Sequence, residues 1–471
     1  MRFLAPTSPT SPTSPTSVAE EEPSPFDCKG RARLVFDARR RARTLGPKDL
    51  NGLLTVDREF ASTRSEDARA VGFFGRVCKR PVFAKLFWRK KLGVGKHTRA
   101  ERQNVEKSLL QRDLEMIVSR GTTPCLPFRL FSVTTSVALF RKTRANRVID
   151  ARLRGMRIVD VSERSASFAD ACLRLLSRER GENIESESHR KLLAAARKGQ
   201  LVHEKLDVSS PTFCRAGLVD VVFTEKCAVR TLSEYFGDSS VNASCLPEVY
   251  LMLVHALSVF ARRGISHNDL HSRNVVVRRV APTVVSFGRT RRFVTTVVPF
   301  VVDWDLGRSD VVQNPELDDY SHVGLSDRAN PLFDLYGLVK TFFYHRASFA
   351  RRFSGRDTVM TSPTAARLER AFKELLEPAT SREPWLLKYD YTYLDDANVM
   401  KTQQCVQQTP YIPRKGSGKV EKIWPPSVHE LTPPFSAIGN RLHALVERPL
   451  GPDDPVPEDA VGEFSFADFF D

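Results

Sequence analysis

The sequence lacks the cysteine patterns of secreted disulfide-rich domains and of zinc sites. Its eight cysteines are scattered, with no Cys-x-x-Cys pair and no Cys/His cluster at zinc-finger spacing. We therefore expect free thiols in a reducing compartment and no structural zinc ion.

Long apolar segments are also missing. No run of apolar residues approaches the roughly 20 that a bilayer-spanning helix needs. The N-terminus lacks the basic stretch followed by an apolar core that is typical of a secretory signal. These absences predict an intracellular protein, cytoplasmic or nuclear, that does not contact membranes.

The composition is that of a globular chain with a strong positive charge. Hydrophobic residues make up 41% and charged residues 27% of the 471 residues, enough for one large two-lobed unit or a few ordinary domains. The net charge of +16 favours acidic partners. Contact with nucleic acid is compatible with this charge, but no motif supports it.

Sequence patterns divide the chain into segments. Thr-Ser-Pro repeats make residues 1–25 a disordered tail, and the globular pattern begins at about residue 60. Hydrophobic periodicity predicts strands over 72–77, 82–87, 127–140 and 219–224, helices over 105–120 and 246–263, and mainly helix over 333–387. The charged stretch 142–213 is predicted to be an insertion. Residues 451–471 form an acidic and aromatic tail, expected to fray.

The segment from His267 to Asn274 carries the clearest chemical signal. Asp269 and Asn274 lie five residues apart between a loop and an apolar strand-like run. A carboxylate there can orient or deprotonate a hydroxyl, while Asn274 and the later Asp303 offer the oxygen ligands that Mg²⁺ prefers. The sequence therefore predicts a site for phosphoryl transfer.

The order of the motifs resembles that of the protein-kinase-like superfamily. Gly72-x-x-Gly75-x-Val77, Lys85, a glutamate-bearing helix, Asp269-(x4)-Asn274 and Asp303-Trp304-Asp305 follow one another over residues 65–345. The resemblance implies an α+β, two-lobed kinase-like fold with ATP and Mg²⁺ as cofactors. The β-rich N-lobe, with one helix, would span residues 60–225, and the mainly helical C-lobe residues 226–450.

The resemblance also implies roles in nucleotide binding. Gly72 and Gly75 would let the backbone approach the phosphates, together with Val77, although Ala70 replaces the first glycine of the family's loop. Lys85 would reach the α- and β-phosphates. Glu115 is the first candidate to hold Lys85, and Glu106 is the alternative.

The same resemblance implies further roles. Backbone groups from Glu225 to Cys227 would pair with adenine, and Asp269 would be the catalytic residue. Asn274 and Asp303 would bind magnesium. His267 would stabilise the catalytic loop, and Asp334 would brace that loop from the following helix.

Departures from the common pattern indicate a branch of the superfamily. Asn268 replaces an arginine found in many regulated kinases, His271 replaces a lysine, and Asp305 replaces a glycine. With an extra hairpin over 284–293 and no Ala-Pro-Glu sequence before Phe333, the chain resembles haspin-related Ser/Thr protein kinases. This implies a protein substrate.

A basic substrate would need a local acidic patch, for which the candidates are Asp310, Glu316, Asp318, Asp319 and Asp327.

Two alternatives stay open. Aminoglycoside- and choline-type small-molecule kinases also carry Asp-x-His-x-x-Asn loops, as in Asp269, His271 and Asn274. The altered glycine motif is also compatible with a pseudokinase that serves as a scaffold.

Overall fold

The computed structural model describes residues 24–34, 54–56, 70–77, 80–89, 114, 117, 120–136, 139, 142, 218–227, 230–238, 242–304, 307–310, 331–352, 358–382, 389–394, 400–405, 411–413, 420–422 and 435–470. The Thr-Ser-Pro tail up to residue 23 and nearly all of the predicted insertion lie outside these ranges. So do Glu106, Glu115 and, of the acidic candidates, Glu316, Asp318, Asp319 and Asp327.

The N-terminal half contains an antiparallel five-stranded sheet. Its strands are β1 (Leu54–Val56), β2 (Ala70–Val77), β3 (Arg80–Arg89), β4 (Arg129–Ser136) and β5 (Leu218–Glu225). They lie in the order β1-β2-β3-β5-β4. The predicted strands in these regions are confirmed. Val82 and Ala84 are fully buried on one face of β3, so the two-residue period places Lys85 on the other.

A buried helix lies at the centre of the C-terminal half. After the short helix α1 (Leu232–Phe236), helix α2 (Leu246–Arg262) confirms the predicted helix. Every residue of α2 from Leu246 to Phe260 is buried. Among the described residues, Ala243–Arg262 is long and apolar enough to span a bilayer, but most of it is buried inside the protein. The expectation that no apolar run is long enough to span a bilayer was therefore wrong in length and composition. A buried core helix can have the same length and composition as a membrane-spanning helix.

A long hairpin follows the loop from His267 to Asn274, which the sequence predicts to be a catalytic loop. Strand β6 (Ile265–Ser266) precedes the loop, and β7 (Val275–Phe287) and β8 (Arg291–Val301) follow it. Strand β9 (Arg308–Ser309) then pairs with β6. The predicted hairpin over 284–293 is therefore only the tip of a larger one. Because Val275 pairs with Val301, the hairpin returns the chain to the end of the catalytic loop.

Two long helices cover the predicted helical region. They are α3 (Pro331–Arg352) and α4 (Pro363–Arg382). Two separate hairpins come next, formed by β10 (Tyr389–Leu394) with β11 (Met400–Cys405) and by β12 (Tyr411–Pro413) with β13 (Val420–Lys422). The overall class is α+β, as predicted.

The C-terminal segment is part of the core. Helix α5 (Phe435–His443), strand β14 (Pro449–Leu450) and strand β15 (Glu463–Phe466) complete a sheet of order β14-β8-β7-β15. Beyond β15, the Phe470 ring is buried and Arg291 stacks on it at 4.4 Å. The prediction of a frayed terminus was wrong, because its aromatic side chains pack against the β7–β8 hairpin.

The turn of this hairpin provides a test of the packing. Gly288 has a φ of +67°, and an added Cβ would lie 2.7 Å from Asp468 Oδ2, whose carboxylate pairs with Arg291. We expect Gly288→Ala to lower the free energy of unfolding by about 1–3 kcal/mol, measured by urea denaturation. Gly462→Ala is the control, because its Cβ would meet Phe464 at an ordinary 3.5 Å. Equal losses of unfolding free energy in both variants would contradict the close packing of Gly288 against Asp468.

Candidate active site

The backbone of the catalytic loop is held by Asp334 of α3. Asp334 Oδ2 accepts from the N–H of His267 at 2.6 Å, and Oδ1 accepts from the N–H of Asn268 at 2.7 Å. Asn268 has a φ of 63°, a conformation that asparagine adopts more readily than most residues. The predicted bracing by Asp334 is therefore present.

Helix α3 also lies very close to the loop. A Cβ added at Gly337 would be 2.6 Å from the carbonyl oxygen of Leu270. Only glycine permits this approach, so one turn of α3 supplies both the bracing carboxylate and the space for the loop.

His267 links the loop to the strand that precedes Asp303. It is fully buried, and its Nε2 lies 2.9 Å from the carbonyl oxygen of Val302. Its Nδ1 accepts from the N–H of Asp269 at 3.3 Å, so the neutral imidazole donates through Nε2. This arrangement agrees with the predicted structural role of His267.

Asp269 and Asn274 contact each other directly. Asn274 Nδ2 donates to the Asp269 carbonyl oxygen at 2.9 Å and to Asp269 Oδ2 at 3.2 Å. The Asn274 side chain is buried, whereas the Asp269 side chain is 45% exposed. The asparagine thus orients a carboxylate that an incoming hydroxyl can reach.

Lys85 and Asp303 form an ion pair between the two halves of the chain. Lys85 Nζ lies 2.6 Å from Asp303 Oδ1, across 218 residues of sequence. Lys85 is nearly buried, and Asp303 has a φ of 66°. Neither candidate glutamate partner of Lys85 lies within the described residues, so the acidic partner identified for Lys85 is Asp303.

Backbone hydrogen bonds bring Asp303 to the catalytic loop. The N–H of Val302 donates to the carbonyl oxygen of Asn274 at 2.9 Å, while the Val302 carbonyl contacts His267. Trp304, on the other side, is buried against His267 and Phe260 with ring centroids 4.7 Å and 5.2 Å away. Asp303 is therefore fixed on both sides, next to Asn274.

His271 is a neutral neighbour of Asp269. Burial, assisted by repulsion from Arg273, lowers the pKa of His271 to about 4. Its Nδ1 accepts from the N–H of Arg273 at 3.1 Å, and its Nε2 lies 3.7 Å from Asp269 Oδ1. At neutral pH the side chain therefore presents an N–H group, and no positive charge, to Asp269.

The predicted phosphate-binding glycines lie in a strand, as the periodicity over 72–77 predicts. All residues from Ala70 to Val77 pair with β3, so Gly72 and Gly75 lie inside a strand, with Gly72 opposite Lys85. Val77 ends this strand and is buried in the core. The strand contains no turn at these glycines, and their role in phosphate binding stays a prediction. The connection between β1 and β2 lies outside the described residues.

The predicted hinge begins at the end of β5. The N–H of Glu225 already donates to the Phe128 carbonyl oxygen at 2.9 Å. The carbonyl of Glu225, which has a weak contact from the Cys227 thiol at 3.7 Å, and the N–H of Cys227 are the groups that could pair with adenine. Cys227 is buried, which raises the pKa of its thiol, and Lys226 lies over the Phe74 ring at 4.9 Å.

The magnesium ligands predicted from sequence fit a cation that arrives with phosphates. Asn274 donates both of its described side-chain contacts through Nδ2, which leaves its amide oxygen as the atom that could bind a cation, and Val302, next to Asp303 in sequence, donates a hydrogen bond to the Asn274 carbonyl oxygen. Mg²⁺ in nucleotide sites commonly takes one or two protein oxygens, with phosphates and water completing its shell. Among the described residues no group of three or more His, Cys, Asp or Glu side chains could hold a metal alone.

Arg31 contacts the hinge but was missed by sequence reasoning. It lies in a segment that the patterns left unassigned between the Thr-Ser-Pro tail and the first predicted strand. The guanidinium is buried and pairs with the Glu225 carboxylate. The only local signal is the pair of apolar residues Phe26 and Cys28 just before it.

Comparison with models of protein families finds no match, and a search of curated proteins finds none either.

The titration of Asp334 offers a test of the loop brace. Burial raises the pKa of Asp334 to about 7, although its two N–H donors oppose the shift. In the unfolded chain the carboxyl titrates near its ordinary value of about 4, so the folded protein keeps a proton that the unfolded chain loses. This retained proton adds to the free energy of unfolding. The added stability is fully present below about pH 4 and is lost as the pH rises through about 7.

Asp334→Asn cannot titrate, so comparison with it isolates this carboxyl. We expect the stability of the wild type relative to Asp334→Asn to fall by roughly 1–3 kcal/mol between pH 5 and pH 8, measured by urea denaturation. Asp453→Asn, at an exposed position, is the matched control. A stability difference between wild type and Asp334→Asn that stays constant with pH would show that Asp334 does not titrate in this range.

Proposed function

We propose that this chain is an ATP-dependent protein kinase of two-lobed, kinase-like fold, related to the haspin-type enzymes. It would transfer the γ-phosphoryl group of Mg-ATP to a serine or threonine hydroxyl of a protein. The support is the motif order in the sequence together with the contacts among the residues of those motifs.

The Lys85–Asp303 ion pair is the observation that carries the proposal. Lys85 lies on the third strand of an antiparallel sheet, and kinases place their phosphate-binding lysine on such a strand. Through Val302, Asp303 is joined to Asn274, which in turn contacts Asp269. Four residues singled out for phosphoryl transfer thus belong to one connected set of contacts.

Each residue of this set has a role that matches its environment. Asp269, partly exposed and held by Asn274, would accept the proton of the acceptor hydroxyl as its oxygen bonds to the γ-phosphorus. The bond from that phosphorus to the β–γ bridging oxygen breaks, and the electrons leave with ADP. Lys85 would hold phosphate oxygens, while Asn274 and Asp303 would hold Mg²⁺, which neutralises the developing charge.

The contacts around Asp269 lead to a direct test of catalysis. Asp269→Asn keeps the size of the side chain but removes the proton acceptor. We expect transfer of labelled phosphate from Mg-ATP to mixed basic and acidic proteins to fall by at least about a hundredfold. Asp459→Asn is the control, because Asp459 pairs with Arg448 at the exposed surface.

The same assay separates the alternatives when a panel of small alcohols is included. Transfer only to small alcohols would replace the proposal with a small-molecule kinase of the aminoglycoside or choline type. Silence of wild type and Asp269→Asn alike, with ATP still raising the melting temperature, would favour a pseudokinase scaffold.

Lys85 provides a second test. Lys85→Met keeps an unbranched side chain but removes the ammonium group that pairs with Asp303. We expect phosphoryl transfer to fall by about a hundredfold or more, because phosphate charge is left without its positive partner. Lys373→Met is the control, since Lys373 is 63% exposed and pairs with Glu369 of its own helix at the surface. Near-normal transfer by Lys85→Met would mean that Lys85 is not the phosphate-binding lysine.

A further inference from the structure

The N-terminal segment 24–34 is packed against the rear of the proposed hinge. Phe26 is buried and packs at a tilt against Phe464 of β15, with ring centroids 5.8 Å apart. Cys28 Sγ contacts the carbonyl oxygen of Thr123 at 3.9 Å. Residues 28–34 form a helical turn that carries Arg31 inwards. The segment therefore connects the C-terminal sheet with the loop that precedes β4.

Arg31 is the centre of this contact. Its side chain is only 3% exposed, and the guanidinium carbon lies over the rings of Phe128 and Phe300, 4.9 Å and 5.4 Å from their centroids. It donates to three backbone carbonyl oxygens, those of Pro25 at 2.8 Å, Pro124 at 3.3 Å and Leu126 at 2.6 Å. The remaining donors of its fork meet both carboxylate oxygens of Glu225.

Both the side chain and the backbone N–H of Glu225 are held by hydrogen bonds. Its Oε1 accepts from the N–H of Phe128 at 3.0 Å as well as from Arg31. Its own N–H donates to the Phe128 carbonyl oxygen at 2.9 Å. The held side chain and N–H restrict the backbone of Glu225, and Cys227 Sγ contacts the Glu225 carbonyl oxygen at 3.7 Å, so the start of the segment that leads to Cys227 is restrained.

We propose that Arg31 is a positioning residue for adenine recognition, acting through Glu225. By holding the Glu225 side chain, it sets the Glu225 carbonyl and the Cys227 N–H in the orientation that the adenine edge needs. This inference rests on the proposed function, since it names the part of the nucleotide that the N-terminal segment controls. Hydrogen-bonding groups that are preorganised bind without a further ordering cost.

A purely structural role for Arg31 would produce a different result. Partial unfolding or a loosened core would weaken the binding of every ligand of the site. Loss of hinge positioning would weaken only ligands that carry adenine. Mg-ATP and Mg-tripolyphosphate separate the two cases, because both present a chain of three phosphates and only ATP has a base.

The experiment measures binding of both ligands to the full chain by calorimetry. Arg31→Lys retains the positive charge but cannot form the planar fork to Glu225. We expect its dissociation constant for Mg-ATP to rise by about tenfold, with that for Mg-tripolyphosphate changing by less than about twofold. Glu225→Gln should act in the same direction, and its effect should not add to that of Arg31→Lys. Arg441→Lys, in an exposed pair with Glu374, is the control.

The outcomes are distinct. Unchanged ATP affinity in Arg31→Lys, or an equal loss for both ligands, overturns the role of Arg31 and leaves the proposed function standing. A wild-type chain that binds neither ligand overturns the proposed function, and this inference falls with it. Should Arg31→Lys fail to fold, Glu225→Gln carries the same comparison between the two ligands.

Discussion

The arrangement of the site depends on one buried carboxylate. Asp334 accepts from the successive N–H groups of His267 and Asn268, where the chain turns through a left-handed residue. Without this acceptor, two buried donors would lose their partners, at a cost of about 1–3 kcal/mol each. Because Asp334 sits in the first turn of α3 and Gly337 lies one turn later, the helix both braces the loop and packs against it.

The second constraint is the antiparallel hairpin. Strand β7 begins directly after Asn274, and β8 ends two residues before Asp303. An antiparallel pair returns its second end to the start of the first, whatever the length of the hairpin. This explains how Asn274 and Asp303 lie together although a large insertion separates them in sequence. The C-terminal strands β14 and β15 pair with the outer edges of β8 and β7, so the hairpin edges are covered along the length of these two short strands.

Local patterns predicted the parts of the site that depend on local structure. The spacing of Asp269 and Asn274, the strand that carries Lys85 and the helix before the catalytic loop all follow from residue order and periodicity. The full length of the β7–β8 hairpin could not be predicted from periodicity, because Arg278, Arg279 and Pro282 interrupt the apolar alternation of β7.

Long-range burial is the part that sequence reasoning missed. Phe466 and Phe470 were expected at a frayed terminus, since nothing nearby in sequence indicates the sheet they cover. The apolar pair just before Arg31 is too weak a signal of its burial, because a charged residue enters a core only when partners from distant segments surround it. Gly72 and Gly75 lie in a strand that periodicity predicts, but the pairing that places Gly72 opposite Lys85 does not follow from the spacing of the glycines.

The distribution of charge around Asp269 indicates how the proposed reaction would be driven. Where many kinases have a lysine, His271 is neutral at physiological pH and offers an N–H group to Asp269 Oδ1 at 3.7 Å. The catalytic loop therefore adds no positive charge from this position. Negative charge on the transferred group would have to be met by Lys85 and by the cation at Asn274 and Asp303. Since Lys85 already contacts Asp303, the two sources of positive charge would act at neighbouring points. The proposed chemistry thus depends on the cation more strongly than in an enzyme with a lysine in the loop.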